Sequence, residues 1–176
     1  MQSQVGYGMY SGETLTTLLD DNKTLLEEFI SSSEIQRCVD LLRTRKHIRF
    51  LKFLAALCAA HGKAVTKNQE TISEALFQED NYRSLMVISL QHDNIHLTWE
   101  DPQGTSARVS PDTPIIRSEV IQGSKDQLPL LEFLQAQLSL LSLLCFDRNY
   151  IAIDFLRPRW PKALLLKGLE SKKFSA

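Results

Sequence analysis

The sequence predicts a mainly α fold, an armadillo-like helical array (α-solenoid) with one inserted β-hairpin. Three observations carry that expectation. Residues 39–77, VDLLRTRKHIRFLKFLAALCAAHGKAVTKNQETISEALF, read as three helical stretches in a row. In the middle one, apolar side chains from Ile48 through Ala60 crowd nearly every side, as in a helix buried almost all round. Finally, short amphipathic segments follow one another with almost no loop until residue 84, where the pattern changes to a β-branched apolar run followed by alternation over 95–99. No repeat is visible at the sequence level, so the solenoid rests on helix length and spacing alone.

Taken in order, residues 1–12 carry Gly6, Gly8 and Gly12 and read as a loose lead-in. Ser11 stands where an N-cap belongs, before a short helix with Leu15, Leu18 and Leu19 on one edge. Residues 24–30 place Leu25, Leu26, Phe29 and Ile30 at helical spacing. Ser31 and Glu34 form a capping-box pair that opens the next helix, with Ile35, Val39 and Leu42 along its apolar side and Cys38 and Leu41 flanking it. His61 and Gly62 are expected to end the middle helix, and Thr66 with Gln69 repeats the capping-box spacing before residues 68–77.

Residues 84–90 and 95–99, SLMVISL and IHLTW, flank a QHDN turn and predict a hairpin. Residues 100–126, with Pro102, Gly104, Pro111, Pro114 and Gly123, read as a long connecting loop. The stretch 128–146, LPLLEFLQAQLSLLSLLCF, nears the roughly 20 apolar residues of a membrane span. Its polar members Glu132, Gln135, Ser139 and Ser142 line up on one thin stripe, however, which predicts a buried helix with a single wet edge. From Arg157 the tail carries six Lys or Arg against one Glu and looks foreign to what precedes it.

Composition excludes whole classes. With 20 basic and 21 acidic residues, no global field draws nucleic acid or an anionic membrane to the chain. Cys38, Cys58 and Cys145 are odd in number and each sits among apolar neighbours, which predicts reduced core thiols and a cytosol-facing protein. The N-terminus lacks the charged and apolar regions of a secretory signal. His47, His61, His92 and His96 fall in no metal-ligating pattern, and no phosphate loop, nucleophile elbow or paired-cysteine spacing is present. Adjacent carboxylates, such as Glu79 with Asp80, do not face each other on a helix. The sequence therefore assigns no catalytic, cofactor-binding or metal-binding residue, and no cofactor is expected. The remaining concentration of charge is Arg43, Arg45, Lys46, Arg49 and Lys52. Read on one helix, Arg45, Arg49 and Lys52 share a stripe that could meet an acidic partner or stay solvated with its stems over apolar surface.

Four segments resemble the inositol trisphosphate receptor family, intracellular calcium-release channels sharing the RIH homology domain with ryanodine receptors. They are QVGYGMYSGETLTTLLDDNKTLLEEFI at 4–30, RFLKFLAALCAAHGKAVTKNQETISEALF at 49–77, IHLTWED at 95–101 and QLSLLSLLCFDRNYIAI at 137–153. The resemblance implies an RIH-type armadillo-like helical domain over residues 1–154 and a divergent basic tail over 155–176. It implies that the family's ligand-binding residues and pore lie in regions other than those matched. It further implies a place on the cytosolic face of the endoplasmic reticulum membrane as part of a parent channel, with neighbouring domains or subunits as partners. The stretch between the matched helix and the hairpin is shorter than the family's and the tail differs, so the chain is expected to be a fragment or splice-type product. The five cations become candidate domain-interface contacts. The alternative is a free-standing armadillo-like adaptor, soluble in the cytosol.

Overall fold

The computed structural model describes residues 26, 28, 30–91, 94–100, 106–108, 128–160 and 162. The elements are α1 (Ser32–Arg45), α2 (Ile48–Ala56), β1 (Ala59–Ala60), β2 (Lys63–Ala64), α3 (Thr66–Leu76), α4 (Glu79–Tyr82), β3 (Val87–Gln91), β4 (Asn94–Glu100), β5 (Ser106–Arg108), α5 (Leu128–Cys145) and α6 (Tyr150–Leu156). A 3-10 turn at Phe146–Arg148 joins α5 to α6. The chain is mainly helical, as the sequence predicts, with antiparallel strands set between the helices.

Local chemistry fixes where the first helix starts and stops. Ser31 Oγ accepts from the Glu34 N–H at 3.3 Å and Glu34 Oε2 accepts from the Ser31 N–H at 2.9 Å, so the predicted capping box is closed in both directions. Ile35, Cys38, Val39 and Leu42 are buried along one side. The helix ends at Lys46, which takes the left-handed conformation at φ 44° while its N–H donates to Leu42 O.

His47 then caps α2, its Nδ1 accepting from the Arg49 N–H at 3.2 Å. Burial, and secondarily the Arg49 charge, hold the His47 pKa below its ordinary value. The unfolded chain therefore takes up the proton first, and stability declines as pH falls through about 6.5 toward the lower folded value. Protonation also removes the lone pair that caps the helix. Urea titrations between pH 7.5 and 5.5 are expected to show this decline, and His47→Asn, which keeps a capping acceptor, to flatten it. An unchanged slope in His47→Asn would assign the acid sensitivity to other groups.

Within α2 the expectation of near-complete burial holds: Phe50, Leu51, Phe53 and Leu54 are buried and Lys52 is its one exposed side chain. Its predicted length does not hold. The helix stops at Ala56, and residues 59–64 form a two-stranded antiparallel ribbon pairing Ala59 with Ala64 and Ala60 with Lys63. His61 and Gly62 are its two-residue turn, both at positive φ (50° and 71°), a pattern that matches the twist of a tight hairpin. The Thr66–Gln69 capping box is also absent: Val65 is the N-cap of α3 without a side-chain bond, and Gln69 is turned into the protein.

The predicted hairpin is present, with β3 and β4 in register from Val87↔Thr98 to Gln91↔Asn94. The reading of 100–126 as loop needs one correction, since β5 pairs with β4 from Thr98↔Arg108 to Glu100↔Ser106 and makes the sheet three-stranded. The expected elements before Leu26 and the rest of that loop lie outside the described residues.

Helix α5 shows the polar edge read from the sequence. Glu132, Gln135, Ser139 and Ser142 are exposed, while Phe133, Leu134, Ala136, Leu140, Leu141 and Leu144 are buried. Among the described residues no helix is long and apolar enough to cross a membrane. The core is one cluster joining Leu26 and Ile30 to α1, α2, α3, α5 and α6. Residues at the start of the basic tail join it: Phe155 stacks on Phe77 at 4.3 Å between centroids, Tyr82 meets Phe155 edge-on at 5.0 Å, and Trp160 packs alongside. Arg159 covers the Phe155 ring at 3.6 Å and donates to Phe155 O.

Candidate domain-contact surface

The five cations singled out from the sequence occupy the corner between α1 and α2, but not one stripe. The left-handed turn at Lys46 separates Arg45, the last residue of α1, from Arg49 and Lys52 on α2. Each has a distinct setting. Arg43 and Arg45 are exposed in the last turn of α1, where a positive charge complements the carbonyl end of the helix. Lys46 is the half-buried C-cap, and the half-buried Arg49 lays its guanidinium 4.9 Å from the centre of the Phe50 ring. Lys52 faces a cleft.

That cleft has a volume of about 470 Å³ and runs between α2 and α5. Ile48, Lys52 and Ala55 line one wall, and Glu132, Gln135, Ala136 and Ser139 the other. The wet edge of α5 and the exposed cation of α2 thus share one surface feature. Small residues at Ala55 and Ala136 leave room there, and the two opposite charges at its rim are of the kind that orients a polar partner.

A set of buried amides holds the surface in place. Asn68 Nδ2 donates to Leu26 O at 3.0 Å and Leu57 O at 3.1 Å. Gln69 Nε2 donates to Leu143 O at 2.8 Å and Phe146 O at 3.2 Å, satisfying carbonyls at the end of α5. Asn81 Nδ2 donates to Ala75 O, and Asn149 Nδ2 to Ser73 Oγ, whose own hydroxyl donates to Gln69 O. Sequence reading gave Gln69 a capping role and passed over Asn68, Asn81, Asn149 and the similarly buried Gln137. The signal available was position: Gln137, for instance, lies off the polar stripe of α5 and is 1% exposed.

The thiols carry no reactive signature. Cys38 and Cys58 are buried, with burial pushing each pKa up to about 12, and the half-buried Cys145 is also raised by burial. Among the described residues no group of three or more His, Cys, Asp or Glu could hold a metal ion.

The RIH domain family model matches residues 1–87. The inositol 1,4,5-trisphosphate receptor itr-1 of Caenorhabditis elegans is 28% identical over 159 residues, covering 88% of this chain. The chain spans 5% of the length of that receptor. The similarity extends well past the RIH match and so takes in the sheet and α5, and both matches support a relationship to the inositol 1,4,5-trisphosphate receptor family.

Proposed function

We propose that the chain is a regulatory and transducing segment of an inositol trisphosphate-gated intracellular calcium-release channel, working on the cytosolic face of the endoplasmic reticulum membrane. The observation that carries this is the similarity over 159 residues to a receptor of that name. In this reading the helices form an armadillo-like array that passes a displacement from the ligand-binding region toward the gate by rigid-body motion at its interfaces. The ligand site and the pore belong to regions of the family's chains outside the matched one, and no enzymatic step is involved. Arg43, Arg45, Lys46, Arg49 and Lys52, with the adjoining cleft, are the proposed contact with a neighbouring domain or subunit of the parent channel. The single core supports the mechanical part, because tightly packed helices transmit strain rather than absorb it.

The test is a chimera in which this chain replaces the matching segment of the worm receptor. Inositol trisphosphate-evoked calcium release from vesicles is expected to survive the replacement. Combined Arg43→Glu, Arg45→Glu and Lys52→Glu substitution is expected to reduce release while ligand binding by the chimera is retained. Release unaffected by the charge reversal would remove the corner from the contact. A chimera that binds ligand and never releases calcium, while the isolated chain captures a separate cytosolic protein, would favour the adaptor.

A further inference from the structure

Among the described residues, three of the exposed large apolar side chains fall at one corner, where α5 turns into α6: Phe146 is 43%, Tyr150 62% and Ile151 39% exposed. The corner is firmly held. Asp147 and Arg148 both take the left-handed conformation, at φ 57° and 65°, a strain of about 1–2 kcal/mol for each residue that carries a side chain. Gln69 Nε2 donates to Leu143 O and Phe146 O on the near side of this turn, and Asn149 Nδ2 ties its far side to Ser73 Oγ. Strain of this kind persists where the surroundings over-determine it, and here it sets three apolar side chains outward. Ala152 and Leu156 anchor α6 in the core, so its outer stripe is Tyr150, Ile151, Asp154 and the C-cap Arg157, all exposed. Asp154 and Arg157 pair with each other at 3.7 Å on that stripe. From 150 to 157 the ridge is two helical turns long, about 10 Å.

The cleft between α2 and α5 has the complementary form. Its walls, Ile48, Lys52 and Ala55 on one side and Glu132, Ala136 and Ser139 on the other, run from 48 to 55 and from 132 to 139, the same two turns. Ala55 and Ala136 keep it open to bulky side chains such as Tyr150 and Ile151, and each wall carries one charge, as the ridge carries one of each sign. The ridge cannot fill the cleft of its own chain, because it faces away from the core that α2, α5 and α6 share.

We propose that the α6 ridge docks in the α2–α5 cleft of a second copy of this chain, with Asp154 facing Lys52 and Arg157 facing Glu132. This deepens, and rests on, the reading of the cleft as a subunit contact. Ridge and cleft are different surfaces, so each docking leaves one of each unused, and association continues head to tail until a ring closes or a filament grows. The fixed turn favours docking, since a ridge already held in shape loses little freedom on binding.

Sedimentation velocity on the full chain, from about 5 to 500 µM, brackets the weak affinities of an interface this small. The wild type is expected to form species larger than a dimer as concentration rises. Ile151→Arg, which spoils the ridge, and Ser139→Trp, which fills the cleft, both change exposed residues and are each expected to stay monomeric. Mixed in equal amounts, they are expected to form a dimer and nothing larger, since one intact ridge meets one intact cleft. Lys52→Glu is expected to weaken association of the otherwise wild-type chain roughly tenfold, and adding Asp154→Lys to restore it. Circular dichroism establishes that each variant is folded, and Tyr150→Glu with Gln135→Trp serves as a second ridge and cleft pair. A wild type that stays monomeric across the range, a dimer formed by either variant alone, or a mixture that stays monomeric would overturn the docking. None of these outcomes bears on calcium release by the chimera, so the docking can fail with the channel reading intact, and a silent chimera leaves the association measurable.

Discussion

Phe50→Ala is expected to lower the unfolding free energy by about 3–5 kcal/mol, the range for removing a fully buried aromatic ring. That is a large share of the roughly 5–15 kcal/mol that holds a domain together. Phe50 is 0% exposed and lies in the first turn of α2, with Leu51 and Leu54 also fully buried beside it. Its neighbours leave little scope for collapse into the space. His47 meets the ring edge-on at 6.4 Å and Arg49 covers it at 4.9 Å, while the Phe50 carbonyl lies 3.8 Å from Cys38 Sγ. Guanidinium denaturation followed by circular dichroism gives the magnitude. Cys38 supplies an independent readout: its buried thiol, with a pKa near 12, is expected to resist alkylation at pH 8 in the wild type and to react faster in the variant. A loss below about 1 kcal/mol would mean that the α2 core repacks far more freely than its burial indicates.

Asn68→Leu is expected to cost about 2–4 kcal/mol although it swaps a polar for an apolar side chain of similar size. The reason lies with the acceptors. Leu57 is the C-cap of α2 and its carbonyl lies beyond the last helical bond, so Asn68 Nδ2 supplies the donor that the helix cannot. The same nitrogen serves Leu26 O, in a site where Asn68 is 1% exposed. Each buried carbonyl left without a donor costs about 1–3 kcal/mol. Asn68→Asp is expected to be worse than Asn68→Leu, because it removes the donor and sets a carboxylate against two carbonyl oxygens. Equal stability of Asn68→Asp and wild type would sink this account.

The contrast between those two sites shows what the sequence could convey. Exposure was legible where it follows a helical period: the apolar side of α1 and the wet edge of α5 at Glu132, Gln135, Ser139 and Ser142. The β-branched run at 84–90 and the alternation at 95–99 placed β3 and β4. The Ser31–Glu34 box was legible because both partners are local. Chain reversals were harder. Ala55, Ala56, Ala59 and Ala60 continue a helical pattern, and the fold leaves it because His61 and Gly62 adopt positive φ and close a ribbon. Thr66 and Gln69 have capping-box spacing, yet Gln69 bonds carbonyls 74 and 77 residues away. A three-residue strand such as β5 has no period to read. For the candidate surface, the five cations were visible as charge, whereas the turn at Lys46 that divides them and the cleft joining Lys52 to α5 depend on tertiary placement.

The buried amides place unequal demands on the two ends of each bond. Asn68, Gln69, Asn81 and Gln137 donate to the carbonyls of Leu26, Leu57, Leu143, Phe146, Ala75 and Met86, all main-chain groups that any residue would present. The acceptor positions are free to change side chain so long as their backbone stays in place, while the donors are not. Relatives that keep this architecture should therefore hold the four amides fixed and vary freely opposite them. Paired substitution, the usual trace of a contact in a set of related sequences, will be silent about the bonds that tie this fold together.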